Sequence, residues 1–518
     1  MCPLRGVTYH ALCEEKSFTQ GVLAVTWRWI ESSERIRLRW FAAILLGIFA
    51  GVHALLLWLG FEFTAYPLDC FLHFLDPALL RERLLESCFY LHIQPPLFNF
   101  LLGLGLKCAP ESYVSLFHAV YLVCGFLLYL GTFLLLIRLG VSRLLALGLS
   151  TLFMLSPAFL LFEHWLFYTL PSTTLLVWSA VFLADALDTG RRRSFAGLFV
   201  GVFILCGLWS LFHLLFFALV FGALLVVCVR YRKRVIGIGL IPLLLLLSLY
   251  VKNSLLFDTF GLSSVMGRNL WINAVGSMRW EDRRRLVADG TLSDLSLIAR
   301  WNSLEYYPPE FLEVQGFEHV PALRQVNKST GAHNFNHLAH IAISKQYMQD
   351  AKAGLRHQPK AFLLSMAVSW YNYFRPAANS YCSFKNAALL RGPMALYAYG
   401  FCGRLPVDLS THSHLVRVTN SPPHVFLILG LPLLLLYAAL VTYRGKAGGV
   451  ALDRTQRLLL LYLCFCIGYV ALVGNTFDYG ETNRYRFTTD PFYLALLGLF
   501  LQRGLSAMTM RKGATTSH

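Results

Sequence analysis

Long apolar runs, about ten in number, dominate the pattern of the chain, and short polar segments separate most of them. Most runs are about 15–25 residues long, close to the length that a helix needs to cross a ~30 Å hydrocarbon core. We divide the nearly continuous stretch 195–229 at Trp209 and Ser210 because it is too long for one span. The pattern predicts an all-α integral membrane protein with about ten transmembrane helices. The predicted spans lie near 40–59, 113–137, 142–162, 170–186, 195–209, 211–229, 235–251, 425–443, 458–473 and 491–501.

Clusters of basic residues precede the first predicted span and occupy every second loop after it. Because Lys and Arg are enriched in cytoplasmic loops, we expect these loops and both termini in the cytoplasm. The clusters are Arg35, Arg37 and Arg39; Arg138 and Arg143; Arg191, Arg192 and Arg193; Arg230, Arg232, Lys233 and Arg234; Arg444 and Lys446; and Arg511 and Lys512.

This alternation predicts five parts. They are a cytoplasmic N-terminal segment (1–39), a transmembrane core (40–251) with an outer loop (61–112), an outer segment (252–422), C-terminal transmembrane helices (423–503) and a cytoplasmic tail (504–518). The outer side is periplasmic or lumenal. In the 252–422 segment, the stretch 359–374 mixes Trp370 and Tyr373 with aliphatic residues, which indicates an interfacial helix or a short re-entrant one.

Composition excludes an ordinary soluble protein, since 56% of the residues are hydrophobic and only 14% are charged. Soluble domains carry about 25% charged residues. A net charge of +17 would indicate nucleic-acid binding in a soluble protein. Here the charges lie between apolar runs, so we expect membrane lipids as partners and no nucleic acid. The twelve cysteines show no metal-binding spacing, and the first 34 residues lack the features of a cleavable signal peptide.

The 61–112 loop carries two carboxylates, Asp69 and Asp76, which would share one face if the stretch were helical. A carboxylate at the membrane surface can accept a proton from a hydroxyl group or hold a divalent cation beside a phosphate. The alternative is that Asp76 caps a helix that begins at Pro77. Further along, His92 and Gln94 precede two prolines that predict an extended approach to a helix.

Two other boundary regions carry ionisable groups. Glu163 lies among apolar and aromatic residues, where a carboxylate is costly and often functional, unless it reaches out to the surface. Arg484 and Arg486 lie on the predicted outer side, against the usual distribution of basic residues. A single arginine can donate two parallel hydrogen bonds to the oxygens of one phosphate, so these residues suit a phosphorylated headgroup. The alternative is an ion pair between Arg484 and Glu481 that clamps the loop.

Three histidines of the 252–422 segment, His333, His337 and His340, would share one helix face. Without an HExxH order or an adjacent acidic ligand, the sequence favours a hydrogen-bonded cluster over a zinc site, and no metal site is predicted. Asn327 and Ser329 form a glycosylation sequence.

The order of these parts resembles the GT-C superfamily of polytopic glycosyltransferases, in the broad group near protein mannosyltransferases and lipid A aminoarabinose transferases. The resemblance covers about 40–270 and 420–503, whereas 270–420 matches no family pattern. It rests on a basic N-terminus before the first span, the carboxylates of the 61–112 loop, the stretch from His92 to Leu97, Glu163 after Ser156 and Pro157, Lys252 and Asn253 at the end of the seventh span, and the stretch from Glu481 to Arg486.

The resemblance implies transfer of a sugar from a polyprenyl-phosphate donor to a lipid, glycan or protein acceptor on the non-cytoplasmic face, with inversion. It implies that Asp69, or else Asp76, is the base. The resemblance favours the bacterial inner membrane over the endoplasmic reticulum as the host membrane. The chain lacks the Asp-Glu pair of protein O-mannosyltransferases and the WWD motif of oligosaccharyltransferases. The resemblance further implies that Arg484 and Arg486 bind the carrier phosphate, with help from Lys252. Glu163, a catalytic candidate, and His92 would lie near the acceptor or shape the cavity. Gln94, Glu481 and Tyr485 are further candidate substrate-binding residues.

Two alternatives remain, a secondary transporter and a non-catalytic membrane scaffold. Transporters show broken helices and charges near the middle of their spans. The ionisable groups here cluster at outer boundaries, beside a long outer segment, and both features favour an enzyme.

Overall fold

The computed structural model describes residues 39–379, 384–405 and 419–515, with side chains as far as residue 506. The predicted N-terminal segment therefore lies outside the described residues apart from Arg39. The chain forms two compact units, divided after Trp58, and each is considered by itself. The first unit is described only as helix α1, Arg39–Trp58, an apolar helix of 20 residues.

The second unit is almost entirely helical in the described part of the chain. Its only described sheet is a pair of antiparallel strands, β1 (Lys446–Ala447) and β2 (Val450–Ala451). The helices that follow α1 up to the 252–422 segment are α2 (Pro67–Cys70), α3 (Pro77–Glu82), α4 (Leu84–Phe89), α5 (Pro96–Cys108), α6 (Tyr113–Arg138), α7 (Arg143–Met154), α8 (Pro157–Glu163), α9 (Thr169–Thr189), α10 (Arg192–Leu208), α11 (Leu214–Val227) and α12 (Arg232–Phe257).

The 252–422 segment contains short helices around two longer ones, and three long helices follow it. In order they are α13 (Met266–Trp271), α14 (Trp280–Ala288), α15 (Pro321–Arg324), α16 (Ala339–His357), α17 (Pro359–Tyr373), α18 (Phe384–Leu389), α19 (Arg391–Leu396), α20 (Val425–Arg444), α21 (Arg454–Phe477), α22 (Thr482–Phe487) and α23 (Asp490–Thr515).

Six of the described helices are long and apolar enough to cross a membrane, which supports a multi-pass membrane protein. The predicted count of about ten spans is not confirmed. Helices α7 and α8 make a seventh span only if counted together, since they are bent by 61° at a short break. The six helices are Arg39–Trp58, Tyr113–Arg138, Thr169–Thr189, Val229–Phe257, Val425–Arg444 and Arg454–Phe477.

The remaining predicted spans contain helices that are short or less apolar. Helix α10 has 17 residues and α11 has 14, because the chain breaks at Trp209–His213 between them. The break between α7 and α8 precedes Pro157, which has no N–H to continue the helical hydrogen bonds. The predicted division at Trp209 and Ser210 falls in the break between α10 and α11 and is confirmed. The break before Pro157 was not predicted, because the predicted span 142–162 runs through it.

Helix α9 lies at the centre of the helical bundle and packs against α6, α10 and α21. Its buried positions include small residues such as Ser172, Ala180 and Ala184, which allow close approach of neighbouring helices. The Ser179 hydroxyl lies 2.7 Å from that of Tyr462 on α21. These contacts hold α9 against its neighbours in the bundle.

The 252–422 segment has a hydrophobic core of its own, formed by α13, α16 and the turns between them and centred on Trp271, Ile343 and Tyr347. Helix α17, predicted as interfacial or re-entrant, packs against α21 and α22 through buried residues such as Val368 and leaves Leu363 exposed. The segment thereby lies against the ends of the bundle where the candidate residues gather.

Candidate functional site

The start of the 61–112 loop pairs with the loop between α8 and α9. The Thr64 N–H donates to the His164 carbonyl at 2.9 Å, and the Leu166 N–H donates to the Thr64 carbonyl at 3.0 Å. The Tyr121 hydroxyl on α6 holds the same loop by donating to the Phe167 carbonyl at 2.6 Å. Two of the predicted functional regions therefore meet.

Asp76 caps helix α3, as the alternative interpretation of the sequence proposed. One of its oxygens accepts from the Ala78 N–H at 3.0 Å. The carboxylate also accepts from both the N–H, at 2.8 Å, and the hydroxyl, at 2.5 Å, of Ser329 in the 252–422 segment. Asp76 is buried and fully engaged in these contacts, which suit a structural role.

The stretch from Asp69 to Asp76 is not one helix, so the two carboxylates do not share a helix face. Helix α2 ends at Cys70, and the next residue, Phe71, has an extended backbone. Asp69 is half-buried, and its side chain has no hydrogen-bond partner in the described part of the chain. Burial raises the pKa of its carboxyl group, while the charges of Lys328 and Arg81 act in the opposite direction. A half-buried carboxylate with a raised pKa suits proton transfer.

Lys328 is the residue that sequence reasoning missed. Its side chain is only 4% exposed, and its amino group donates to the Phe71 carbonyl at 2.8 Å. Burial lowers the pKa of Lys328 to about 8, although the nearby Cys70, Asp76 and Asp69 act to raise it. A lysine in a polar turn is ordinarily exposed, so no local signal marked it.

The turn that carries Lys328 is clamped onto the 61–112 loop. Besides the lysine and the Ser329 contacts with Asp76, the Thr330 hydroxyl donates to the Asp69 carbonyl at 2.7 Å. Three consecutive residues thus hold the backbone on both sides of Phe71. The 252–422 segment, which matched no family pattern, therefore builds part of the site.

His73 lies between two cations and was also missed. Burial, together with the charges of Arg484 and Lys328, lowers the pKa of His73 to about 3, so the imidazole is neutral. Its ring centroid lies 5.2 Å from that of Phe167 and 5.7 Å from that of Tyr168. His73 connects the Asp69 end of the loop with the Arg484 region.

Arg484 is enclosed by aromatic rings and is 1% exposed. Its guanidinium carbon lies 4.8 to 5.7 Å from the ring centroids of Phe167, Tyr168, Trp209 and Tyr485. It donates twice to a Glu481 carboxylate oxygen, at 2.5 and 2.8 Å, as the clamp interpretation expected. Burial acts to lower the pKa of Arg484, but the charge and hydrogen bond of Glu481 together with Tyr168 and Tyr485 raise it overall, and the arginine stays charged.

Arg486 points to a different neighbourhood from Arg484. It forms an ion pair with Asp490 at 2.9 Å and donates to the carbonyls of Tyr373 and Arg375. These contacts link the start of α23 to the end of α17 and favour a structural role, so the predicted phosphate contact stays a prediction. Tyr485 donates its hydroxyl to Asp478.

His92, Gln94 and Lys252 lie away from the Arg484 cluster. The His92 ring nitrogens lie 2.8 Å from the Ser264 hydroxyl and 3.0 Å from the Asn336 carbonyl, and both contacts pin the loop to the 252–422 segment. Lys252 donates to the Phe89 carbonyl at 2.6 Å. Gln94 is buried, and its Oε1 has no hydrogen-bond partner in the described residues. Their predicted substrate roles remain untested.

Glu163 is completely buried rather than reaching the surface. Its carboxylate occupies the space opposite Gly125, where an added Cβ would lie 1.7 Å from Oε1. Gly125 is at the middle of α6, so the carboxylate lies deep in the bundle. It is therefore part of the bundle interior and distinct from the Asp69 region.

A cavity of about 840 Å³ adjoins the Arg484 cage, since Trp209 and Tyr485 belong to both, whereas Arg484 itself is not among the lining residues. The start of α11 supplies an apolar side, including the exposed Leu215. At another side Lys345 pairs with Asp258 at 2.7 Å, and Lys345 is the only lysine or arginine among the described lining residues. The volume falls in the range of small-molecule sites.

Zinc binding by the three histidines finds no support. His340 Nδ1 lies 2.6 Å from an Arg268 nitrogen, His333 contacts Asn327, and the Ala339 N–H lies 3.2 Å from His337 Nδ1. Over the described ranges, no group of three or more His, Cys, Asp and Glu residues could hold a metal ion.

Comparisons of the chain with protein-family models, with curated proteins and with solved structures found no match. A functional assignment therefore rests on the residues of the site.

Proposed function

We propose that this chain is a membrane glycosyltransferase that moves a sugar from a polyprenyl-phosphate donor to a lipid, glycan or protein acceptor on the non-cytoplasmic face. One observation carries the proposal. Asp69, His73, Lys328 and Arg484 come from three distant parts of the chain and lie close enough to act on one another by charge, and two rings around Arg484, Trp209 and Tyr485, also line a cavity of about 840 Å³ with an apolar side.

The cavity suits an amphipathic donor. Its apolar side at the start of α11 fits a prenyl chain, while Lys345 and Asn269 offer polar contacts to a phosphate and a sugar. Because Glu481 already pairs with Arg484, the arginine acts on the phosphate through its field, across the wall formed by Trp209 and Tyr485. A positive charge fixed in this way stabilises charge that develops on the leaving group.

The reaction assigned to the site is a single displacement. The acceptor oxygen attacks the anomeric carbon, the bond from that carbon to the phosphate oxygen breaks, and the carrier phosphate leaves as an anion. Asp69 accepts the proton of the acceptor hydroxyl. Lys328 opposes the effect of burial on Asp69 and so keeps more of the carboxylate ionised. The configuration of the anomeric carbon is inverted.

A secondary transporter is the second candidate, and two observations favour it. Glu163 is buried against the middle of α6, and α7 and α8 form a bent helix pair. Ionisable groups at such depth and broken helices are both found in transporters.

The test is a transfer assay on purified protein in lipid with a panel of radiolabelled polyprenyl-phosphate sugars. We expect the wild type to consume one donor, and Asp69→Asn to lose roughly 100-fold or more of the rate. Asp294→Asn, at an exposed carboxylate of the 252–422 segment, is the matched control and should keep its rate.

Two results would count against the proposal. If the wild type turns over no donor, even with membrane extract as the acceptor source, the glycosyltransferase assignment fails. Solute uptake by proteoliposomes that Glu163→Gln abolishes would then support the transporter. If Asp69→Asn keeps the wild-type rate, Asp69 is not the base.

A further inference from the structure

Two basic turns, at the end of α9 and at the start of α12, form one surface. Gly190 follows α9 with a positive φ of 62°, and an added Cβ there would lie 2.2 Å from the Tyr231 ring. Arg234 donates to the Gly190 carbonyl at 2.5 Å. The Arg191–Arg193 turn and the Val229–Arg234 turn are thereby held against each other.

This surface concentrates positive charge without a matching negative charge. Within the described residues, none of its basic side chains forms an ion pair with a carboxylate. The nearby Asp185 and Asp188 pair with Arg138 instead, at 3.4 and 2.9 Å. Uncompensated like charges repel, so this arrangement favours a bound anion. The exposed basic residues are Arg191, Arg192, Arg193, Arg230, Arg232, Lys233 and Arg234.

Two of the arginines are held in place by an aromatic ring. The guanidinium carbons of Arg230 and Arg234 lie 5.8 and 5.2 Å from the centroid of the Tyr231 ring. They border a cavity of about 520 Å³ that is lined by the stretch from Val229 to Arg234 and by Ile236. Planar guanidinium groups fixed at a cavity suit the oxygens of a phosphate.

The surroundings select a lipid as the source of that phosphate. The cavity lies at the start of the candidate span Val229–Phe257, and the exposed side chains of Val226, Val229 and Ile236 provide an apolar border. Acyl chains can lie along these side chains while the headgroup meets the arginines. Basic clusters directly beside a membrane-spanning helix attract the headgroups of anionic lipids.

We infer that the Arg191–Arg193 and Val229–Arg234 turns bind the phosphate headgroup of an anionic phospholipid. The site is separate from the Asp69 region, and it holds whether the chain is a transferase or a transporter.

The test measures lipid binding to delipidated full-length protein in detergent by native mass spectrometry, with phosphatidylglycerol, phosphatidylcholine and soluble glycerol phosphate as probes. We expect tighter binding of phosphatidylglycerol than of phosphatidylcholine. Replacing both arginines (Arg230→Gln with Arg234→Gln) should weaken phosphatidylglycerol binding roughly tenfold or more and leave phosphatidylcholine binding unchanged.

The matched control is Arg444→Gln with Lys446→Gln, which removes two exposed charges beside another candidate span. If the control pair weakens phosphatidylglycerol binding by the same factor, the effect comes from general surface charge and the inference is overturned. If glycerol phosphate binds as tightly as phosphatidylglycerol, the site binds a soluble anion and the inference of a lipid site is overturned. Arg191→Gln with Arg192→Gln supplies a second variant, which should also weaken phosphatidylglycerol binding.

Discussion

Asp69 and Lys328 lie close enough for the charge of each to act on the other, and neither is freely exposed. Burial raises the pKa of the Asp69 carboxyl group and lowers that of the Lys328 amino group, so both pKa values shift towards neutral pH. Titratable groups with pKa values shifted in this way cluster at functional sites. The titratable groups around Lys328 are Asp69, Asp76, Cys70, the neutral His73 and, beside Asp69, Arg81.

Replacing Lys328 with methionine should move the acid limb of the pH–rate profile to higher pH. Lys328 lowers the pKa of Asp69, so its loss raises that pKa further, and the ionised base appears only at higher pH. At pH 7 we expect a rate roughly tenfold lower, which is recovered in part as the pH rises. The measurement is donor turnover as a function of pH.

Lys352→Met is the control for Lys328→Met, because Lys352 is exposed on α16 and its charge is remote from the site. Lys328→Arg keeps the charge and should keep the acid limb in place. A slower Lys328→Met enzyme whose profile has the wild-type shape would mean that the lysine only supports the loop backbone through Phe71.

Helices α6 and α8 pack through a glycine and a carboxylate. Gly125 leaves room for the Glu163 side chain on the face of α6, and the Cys124 carbonyl beside it accepts from Thr174 on α9 at 3.1 Å. Close packing tolerates no extra atom at such a contact, because interiors are filled to the density of organic crystals. The glycine thus fixes how near α8 can approach.

Gly125→Ala should destabilise the protein by about 1–3 kcal/mol, since its Cβ would overlap Glu163 Oε1. The measurement is the thermal unfolding midpoint in detergent. Gly148→Ala on α7 is the control, because a Cβ there meets nothing within 4 Å. The double variant of Gly125→Ala with Glu163→Ala should lose less stability than the sum of the losses in the two single variants. Strict additivity would mean that the clash does not occur.

Only six described helices of the chain are long and apolar enough to cross a membrane, whereas the pattern of apolar runs predicts about ten. The number of spans depends on whether the short helices α10 and α11 each cross the membrane. If this short pair crosses the membrane, the Trp209–His213 break faces the side of the 252–422 segment. If the pair does not cross, the break stays on the side of Arg191.

Single cysteines in a variant without the twelve native cysteines should distinguish these topologies. Cysteines introduced at Ser210 and Asp294 should react with a membrane-impermeant maleimide from one side, and a cysteine at Arg191 from the other. Intact and opened vesicles supply the comparison. Reaction at Ser210 and Arg191 from the same side would remove two spans from the predicted count.

The sequence by itself determined where the helices lie, because runs of apolar residues can satisfy their backbone hydrogen bonds in lipid only as helices. It also identified the Asp76 cap and offered the Arg484–Glu481 ion pair as an alternative, since both depend on residues that are close in sequence. The length of the apolar run also placed a break at Trp209 and Ser210, but the break before Pro157 was not predicted, because the apolar run 142–162 continues through it.

Only the tertiary structure decided which polar groups meet. Lys328 reaches the 61–112 loop from the distant 252–422 segment, and His73 lies between Lys328 and Arg484. It also separated Arg484 from Arg486, whose side chains contact different helices although they are two residues apart. The physical reason is that burial and the field at a charged group depend on neighbours brought together by packing, which no local pattern encodes.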